Sequence, residues 1–169
     1  TYVGNKYKYA SSLNKINDAN QKRFTYFYKQ PKNSIDLVFL GSSHSYCSFD
    51  PAIFDYELNV NSFQMGMPLQ HPDNSYYTLL EVLNYQRPKT IVLEFYWDLL
   101  SDDFELKQTE MLLKVLKNDK LKEDMVKNLF PLNEKVKYDI PVIRYQKDYL
   151  EYKNKEIKNK IQEKINYKI

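Results

Sequence analysis

The pattern of hydrophobic and polar residues predicts three strands that alternate with helices. The run "IDLVFLG" (35–41) is apolar almost throughout, which is typical of a strand buried on both faces. The segment "VNSFQMG" (60–66) indicates a weaker strand, and "KTIVLEFYW" (89–97) is the clearest strand of the chain. Because strands separated by helical segments form βαβ units, this order predicts an α/β fold with a parallel sheet.

The segments around these strands have helical spacing. Asp50 and Pro51 are an N-cap residue and a first-turn proline, so a short helix is predicted over 50–60. The other predicted helical segments are 7–28, 71–88, 102–129 (as one or two helices) and 142–169, and residues 131–141 are predicted to form a loop or short connection.

Changes in composition divide the chain into four segments. We expect an N-terminal amphipathic helix (1–30), a βαβαβ core (31–100), a helical insertion or lid (101–150) and a Lys-rich C-terminal helix (151–169). In the last segment an isoleucine recurs every four residues, at Ile157, Ile161, Ile165 and Ile169. This narrow apolar stripe would dock on the domain, pair with another chain or fray.

Composition and charge exclude several classes of protein. Hydrophobic residues make up 43% of the chain and charged residues 28%, a balance typical of globular domains. The net charge of +3 equals that of the tail 151–169, so the body is neutral and no nucleic-acid partner is expected. One Cys and two His cannot form a Cys/His zinc site, and we expect no metal and no cofactor. Cys47 is expected to be a small buried residue rather than a nucleophile.

Polar residues follow directly after the predicted strands. Gly41 and Gly66 are two of the three glycines in the chain, and glycine permits close approaches that other residues resist. Ligands of parallel sheets bind beyond the carboxyl ends of the strands, so residues 41–44, 66–70 and 94–98 are expected on one edge. The run "GSSH" either delivers a nucleophilic serine to this edge, beside N–H groups for an oxyanion, or is an ordinary polar turn.

Three blocks of the sequence carry a resemblance to a known family. In order, "FLGSSHSYCSFDP", "NVNSFQMGMPLQ" and "RPKTIVLEFYW" resemble the SGNH (GDSL-like) hydrolase superfamily. The chain is most similar to the membrane-associated bacterial branch, which includes the D-alanyl transfer protein of teichoic acid assembly and polysaccharide O-acyltransferase-like proteins. The resemblance implies a three-layer α/β/α, flavodoxin-like core with a parallel sheet, incomplete in this chain and followed by extra C-terminal helices.

The resemblance also implies roles for particular residues. The family's nucleophilic serine corresponds to Ser43, whose backbone N–H would be one oxyanion donor, and the glycine of the second block corresponds to Gly66, a second donor. Many relatives have an asparagine donor in the third block, where this chain has "LEFYWD" instead. Glu94 would there orient the turn or accept a backbone N–H. The candidates for support or substrate binding are Ser42, His44, Glu94, Tyr96 and Trp97.

The catalytic base is where the chain departs from the family pattern. Relatives carry Asp-x-x-His near the carboxyl end, but no histidine follows His71 in this sequence. His44 adjoins Ser43, and because neighbouring side chains usually point apart at a turn we expect no productive Ser–His bond. His71 is expected to be a cap or loop residue. Two explanations stay open: the chain is the N-terminal part of a longer enzyme, or it is a form that has lost catalysis.

The expected function follows from the resemblance. It implies part of a serine esterase or O-acyltransferase that acts on a cell-envelope polysaccharide or teichoic acid through an acyl-serine intermediate. The alternative is a catalytically inactive domain with a binding or structural role. The expected partner is a cell-surface glycan or acyl-carrying substrate, with self-association possible through the 150–169 helix. The implied location is the extracytoplasmic face of a bacterial membrane, reached through an anchor outside this chain, with the cytoplasm as the alternative.

Overall fold

The computed structural model describes residues 18–100, 106–139, 153–154 and 156–159. The chain divides into two compact units, and the sheet belongs to the unit Asn17–Phe130. The second unit comprises Thr1–Ile16 and Pro131–Ile169. Of the predicted N-terminal helix, the part before residue 18 lies outside the described residues, as does most of the Lys-rich helix with Ile161, Ile165 and Ile169. The segment boundaries expected at 30, 100 and 150 stay predictions.

Three strands form the sheet of the larger unit, as their hydrophobic patterns predict. They are β1 (Leu37–Leu40), β2 (Ser62–Gln64) and β3 (Thr90–Leu93). Both neighbours of β1 are parallel to it, in the order β2-β1-β3. All four residues of β1 are buried, which suits an apolar central strand. The mixed α/β fold with a parallel sheet is therefore confirmed.

The third strand is shorter than its sequence predicts. Glu94 still donates its N–H to the Leu40 carbonyl at 2.9 Å, but the strand ends at Leu93 and the chain turns into a 3₁₀ helix at Trp97–Leu100. The prediction of a strand through residue 97 is wrong for this last part. β3 lies at one edge of the sheet, and three of its four residues are exposed.

Helices connect and follow the strands. Their bounds are α1 (Asp18–Phe27), α2 (Ser43–Ser48), α3 (Pro51–Leu58), α4 (Pro72–Tyr85), α5 (Leu106–Val115), α6 (Asp119–Leu129) and α7 (Leu132–Asp139). Asp50 caps α3 by accepting the N–H of Ala52 at 3.0 Å, as its position before Pro51 predicts. No helix within the described ranges is long and apolar enough to cross a bilayer.

Two of these helices were not expected. The helix α7 replaces the loop predicted over 131–141, because the Pro131 carbonyl accepts the N–H groups of Glu134 and Lys135, both at 3.0 Å. Pro131 therefore lies at the start of a helix here, a position that suits proline, and does not mark a loop. The short helix α2 follows β1 directly and contains most of the "SSH" turn, and it is capped by Ser42.

Several aromatic side chains pack in the core, away from the strand-end edge. Phe27 is fully buried and meets the rings of Phe63 and Tyr85 edge-on, at centroid distances of 5.8 and 5.9 Å. Phe39 stacks on Phe49 at 5.2 Å and meets Phe54 at 4.8 Å. These ring pairs join α1 to β2 and α4, and α3 to β1, so the aromatic content is explained mainly by packing.

A buried carboxylate links α4 to α1 and to the segment after α5. Glu81 is fully buried, and its Oε1 accepts the Tyr28 hydroxyl at 2.6 Å and the Lys117 N–H at 2.9 Å. The Tyr28 hydroxyl also lies 3.1 Å from the Val115 carbonyl, and the Lys117 ammonium lies 4.2 Å from the Tyr28 ring centre. We call Tyr28, Glu81 and Lys117 the Glu81 cluster. Three segments distant in sequence thereby share one polar centre in the core.

A second buried polar side chain holds the approach to β1. Gln86 is 1% exposed, and its Oε1 accepts the N–H groups of Ser34 at 2.8 Å and Ile35 at 3.2 Å. Its Nε2 donates to the Pro31 carbonyl at 2.9 Å. This residue follows α4 directly, so the end of α4 fixes the turn that leads into the central strand.

Candidate functional site

The carboxyl ends of the three strands lie together, as a parallel sheet requires. The Gly41 carbonyl accepts the Met67 N–H at 3.0 Å, and the Leu40 carbonyl accepts the Glu94 N–H. Gly41 has φ +131°, and a Cβ there would lie 2.8 Å from the Glu94 carbonyl oxygen. Only glycine adopts this conformation without strain. The glycine after β1 thus allows Glu94, at the end of the third strand, to pack directly on the turn.

Ser42 is tied to Glu94 by two hydrogen bonds. Its backbone N–H and its hydroxyl both donate to Glu94 Oε2 at 2.7 Å. Its Oγ also accepts the His44 N–H at 3.2 Å as the cap of α2. Ser42 is 2% exposed, so this serine fixes the turn and presents no hydroxyl to an incoming substrate. Glu94 orients the turn through these contacts.

Ser43 takes no part in this network of side-chain hydrogen bonds. It is the first residue of α2 and is half-buried. Among the described residues, none forms a hydrogen bond with its hydroxyl. This half-buried hydroxyl lies at the start of the helix that follows the central strand, and in the described part of the chain no base contacts it.

His44 is directed to Ser42 and not to Ser43. Its Nδ1 lies 3.1 Å from Ser42 Oγ, and its exposed ring packs on Tyr96 with 4.5 Å between centroids. His71 is the N-cap residue of α4, and its side chain makes no capping hydrogen bond. Neither histidine therefore contacts Ser43 as a base would.

Gly66 lies beside the turn but its N–H is engaged. It donates to Gln64 Oε1 at 2.8 Å, and the Gly66 carbonyl accepts from the Arg23 guanidinium. A Cβ on Gly66 would lie 3.0 Å from the Gly41 carbonyl oxygen and 3.1 Å from Ser45 Cβ. The N–H could serve an oxyanion only after the Gln64 side chain turned away.

Arg23 is a half-buried cation at the same edge. Burial lowers the pKa of its guanidinium, and the neighbouring Tyr46 partly opposes this shift. The guanidinium lies 5.3 Å from the centre of the Tyr46 ring. The sequence pattern did not predict that Arg23 lies at this edge, because α1 brings it there from a position distant in the chain.

The comparisons with known proteins leave the family open. A scan against family models, a search of curated proteins and a search of solved structures each found no match to this chain. The SGNH-like resemblance and the roles it implies therefore stay hypotheses. The geometry itself provides an edge with three successive contacts: Glu94 to Ser42, Ser42 to His44, and His44 to Tyr96.

The remaining sequence candidates differ in position. Trp97 is 71% exposed in the 3₁₀ helix and lies 6.1 Å from the Tyr96 ring centre. Tyr77 is buried and donates its hydroxyl to Asp124 Oδ2 at 3.1 Å, so it serves packing. Cys47 is exposed, and the expectation that it is buried is wrong, because α2 turns it to solvent. Within the described part of the chain, no group of three His, Cys, Asp or Glu residues could hold a metal.

Gln70 ends the segment 66–70 that was expected at this edge, but no role was predicted for its side chain. Gln70 is 2% exposed, and its Nε2 donates to Ser75 Oγ at 3.1 Å. Its Oε1 is buried and has no hydrogen-bond partner. Gln70 and Glu94 line the same cleft. A lone glutamine between a strand and a helix has no sequence signature, so only the fold reveals it.

Proposed function

We propose that this chain carries the nucleophile segment of an SGNH-like serine esterase or O-acyltransferase. Its substrate would be a cell-envelope polysaccharide or teichoic acid, and the reaction would pass through acyl-Ser43. The observation that carries the proposal is the contrast between two adjacent serines. Ser42 is buried and bonded to Glu94, whereas Ser43 is half-buried at the start of α2 with an uncommitted hydroxyl.

The chemistry requires a base and oxyanion donors. Ser43 Oγ would attack the acyl carbonyl, lose its proton to the base and form a tetrahedral oxyanion, after which the first alcohol leaves. Water or an acceptor hydroxyl would then take the acyl group from Ser43. In this proposal the base comes from a segment outside the described residues, and Gly66 becomes a donor when Gln64 releases its N–H.

The finer fold is part of the same proposal. The observed strand order β2-β1-β3 is the order of the first three strands in flavodoxin-like proteins, in which ligands bind beyond the strand ends. This agreement supports a three-layer α/β/α arrangement for the complete domain. The proposed location is the extracytoplasmic face of a bacterial membrane, with the anchor outside this chain and the 150–169 helix as a self-association surface.

A second candidate function is a catalytically inactive domain that binds through the same edge. Two observations favour it: His44 contacts Ser42 rather than Ser43, and the Gly66 N–H is engaged by Gln64. The two candidates share the fold, and only the reactivity of Ser43 separates them.

Labelling with a fluorophosphonate probe tests the proposal. The probe is applied to this chain and to the product of the whole gene, and the modified residue is identified by mass spectrometry. We expect label on Ser43 in the whole product and none in Ser43→Ala, while Ser48→Ala, which removes an exposed serine of the same helix, keeps full labelling. If Ser43 stays unlabelled in both proteins, catalysis is refuted and the binding function is favoured.

A further inference from the structure

Arg23 is a cation at the strand-end edge with no carboxylate beside it. Its Nη1 donates to Asn20 Oδ1 at 3.1 Å and to the Gly66 carbonyl, and both acceptors are neutral. None of the described Asp and Glu side chains lies within ion-pair distance of the guanidinium. Because a charge taken partly out of water is costly unless an opposite charge accompanies it, this half-buried arginine favours an anionic ligand.

The other two guanidinium nitrogens are available to such a ligand. Within the described residues, neither Nε nor Nη2 of Arg23 forms a hydrogen bond. In this part of the chain the buried side-chain atoms without a partner are Gln70 Oε1 and Glu81 Oε2, so the two Arg23 nitrogens are not enclosed and solvent reaches them. Nε and Nη2 share one edge of the guanidinium plane, and their parallel N–H bonds match two oxygens of a phosphate or carboxylate.

Tyr46 supplies a third donor and connects Arg23 with Ser43. The guanidinium lies 5.3 Å from the centre of the Tyr46 ring. The Tyr46 hydroxyl forms no hydrogen bond with the described residues and is not enclosed either. Tyr46 and Ser43 are three residues apart in α2, a spacing that places two side chains on the same side of a helix. An anion held by Arg23 and Tyr46 would therefore lie on the side of α2 that carries Ser43.

We propose that Arg23 and Tyr46 bind one phosphodiester group of a polyol-phosphate polymer beside Ser43. A phosphodiester shares one negative charge between two oxygens and has two further acceptor oxygens, so it can accept from Nε, Nη2 and the Tyr46 hydroxyl together. The choice of polymer rests on the proposed function: of the two substrates named there, teichoic acid carries a phosphodiester in its backbone. Phosphate binding itself does not require Ser43 to react.

Titration of the isotope-labelled chain with sodium dimethyl phosphate tests this site. The signals followed by NMR are the Arg23 side-chain Nε–H and the backbone amide of Gly66, one of three glycines in the chain, with sodium chloride added to keep the ionic strength constant. For so small a ligand we expect a dissociation constant on the order of 10 mM. Trimethyl phosphate, which has nearly the same shape and no charge, should bind at least about fivefold more weakly.

Two variants and a control assign the donors. Arg23→Gln removes the charge and the paired N–H groups and should weaken binding of dimethyl phosphate at least about fivefold. Tyr46→Phe keeps the ring beside the guanidinium and should weaken binding about threefold. Because it leaves the Arg23 contacts with Asn20 and Gly66 intact, Tyr46→Phe keeps the test decisive if Arg23→Gln does not fold. The control, Arg87→Gln, removes an exposed arginine before the start of β3, at the opposite end of the sheet, and should leave binding unchanged.

Three results would overturn the proposal. They are equal binding of dimethyl and trimethyl phosphate, unchanged binding in folded Arg23→Gln or in Tyr46→Phe, and tighter binding of acetate than of dimethyl phosphate. Absence of any shift at about 100 mM dimethyl phosphate would also overturn it, since a 10 mM site would then be roughly 90% occupied.

The titration and the labelling of Ser43 can fail separately. Binding of dimethyl phosphate to a protein whose Ser43 stays unlabelled would support the phosphate site and assign it to an inactive binding domain. Labelling of Ser43 without phosphate binding would keep the proposed esterase or transferase and overturn the phosphate polymer as its substrate.

Discussion

Replacing Tyr28 by Phe isolates one hydroxyl of the Glu81 cluster. The Phe ring keeps the packing on Phe27 and Tyr85 and the contact with the Lys117 ammonium, because these use the ring alone. What is lost is the hydroxyl that lies 2.6 Å from Glu81 Oε1. The buried carboxylate then keeps the Lys117 N–H as its donor.

The structure sets the size of the effect. A hydrogen bond to a charged group contributes about 1.5–3 kcal/mol, and a buried acceptor that loses a donor incurs a similar cost. We expect the Tyr28→Phe variant to lose about 2 kcal/mol of unfolding free energy. For a domain of this size that corresponds to a fall in Tm of roughly 4–8 °C.

The same hydroxyl makes stability depend on alkaline pH. Burial raises the pKa of Tyr28, and the hydrogen bond to Glu81 raises it further. As the pH passes about 10, tyrosine ionises in the unfolded chain but not in the folded one. The contribution of Tyr28 is therefore complete below pH 10 and is lost above it. The variant should show a shallower alkaline decline, with a remainder from Tyr77 and Tyr85, whose pKa values burial also raises.

Urea unfolding followed by far-UV circular dichroism measures both effects. Tyr85→Phe is the matched control, because Tyr85 packs against Tyr28 yet makes no side-chain hydrogen bond among the described residues. It should change the unfolding free energy by less than about 0.5 kcal/mol. If the two variants have equal stability and equal alkaline decline, the Glu81 cluster does not stabilise the fold as argued.

Two further changes test the turn after β1 and the approach to it. Gly41→Ala should lower the free energy of unfolding by about 2–4 kcal/mol, because φ is +131° and the new Cβ would meet Glu94. Gly66→Ala should lower it less, because Gly66 has no positive φ. Equal losses for the two variants in chemical denaturation would refute this. Gln86→Ala should lower the free energy of unfolding by about 1–3 kcal/mol, because the buried Ile35 N–H loses its acceptor and the part-buried Ser34 N–H and Pro31 carbonyl each lose one hydrogen bond. The control is Gln21→Ala, at an exposed helical position, whose stability in calorimetry should be close to that of the unchanged protein. A Gln86→Ala variant as stable as this control would contradict the role given to Gln86.

Local sequence signals predicted the elements that local physics determines. The apolar run of β1 and the cap–proline pair at the start of α3 each follow from neighbouring residues, and the structure has both where they were expected. The end of β3 was missed because tertiary contacts decide it. Glu94 is drawn to Ser42 across the sheet, and no periodicity along 89–97 records that bond.

The candidate site was predicted as a set of segments and not as a set of contacts. The order of strands and glycines places "GSSH", Gly66 and Glu94 on one edge, and they do lie together. The directions of the side chains decide the contacts themselves: which serine is buried, which serine His44 contacts, and which buried acceptors have no donor. The helix α2 was missed for a related reason: serine has only modest helix propensity, and the helix is stabilised by its Ser42 cap, which donates to Glu94 just after β3.

The bond between Ser42 and Glu94 also bears on the order of folding. Its partners are 52 residues apart, so the Ser42 N–H and hydroxyl cannot reach their shared acceptor, Glu94 Oε2, until β3 has paired with β1. Closing a chain loop of that length costs roughly 3–4 kcal/mol in entropy, before the contact returns any energy. The segment that presents Ser43 should therefore become ordered late. On a ribosome it would stay unformed until residue 94 had emerged, so the reactivity proposed for Ser43 would be withheld from the nascent chain.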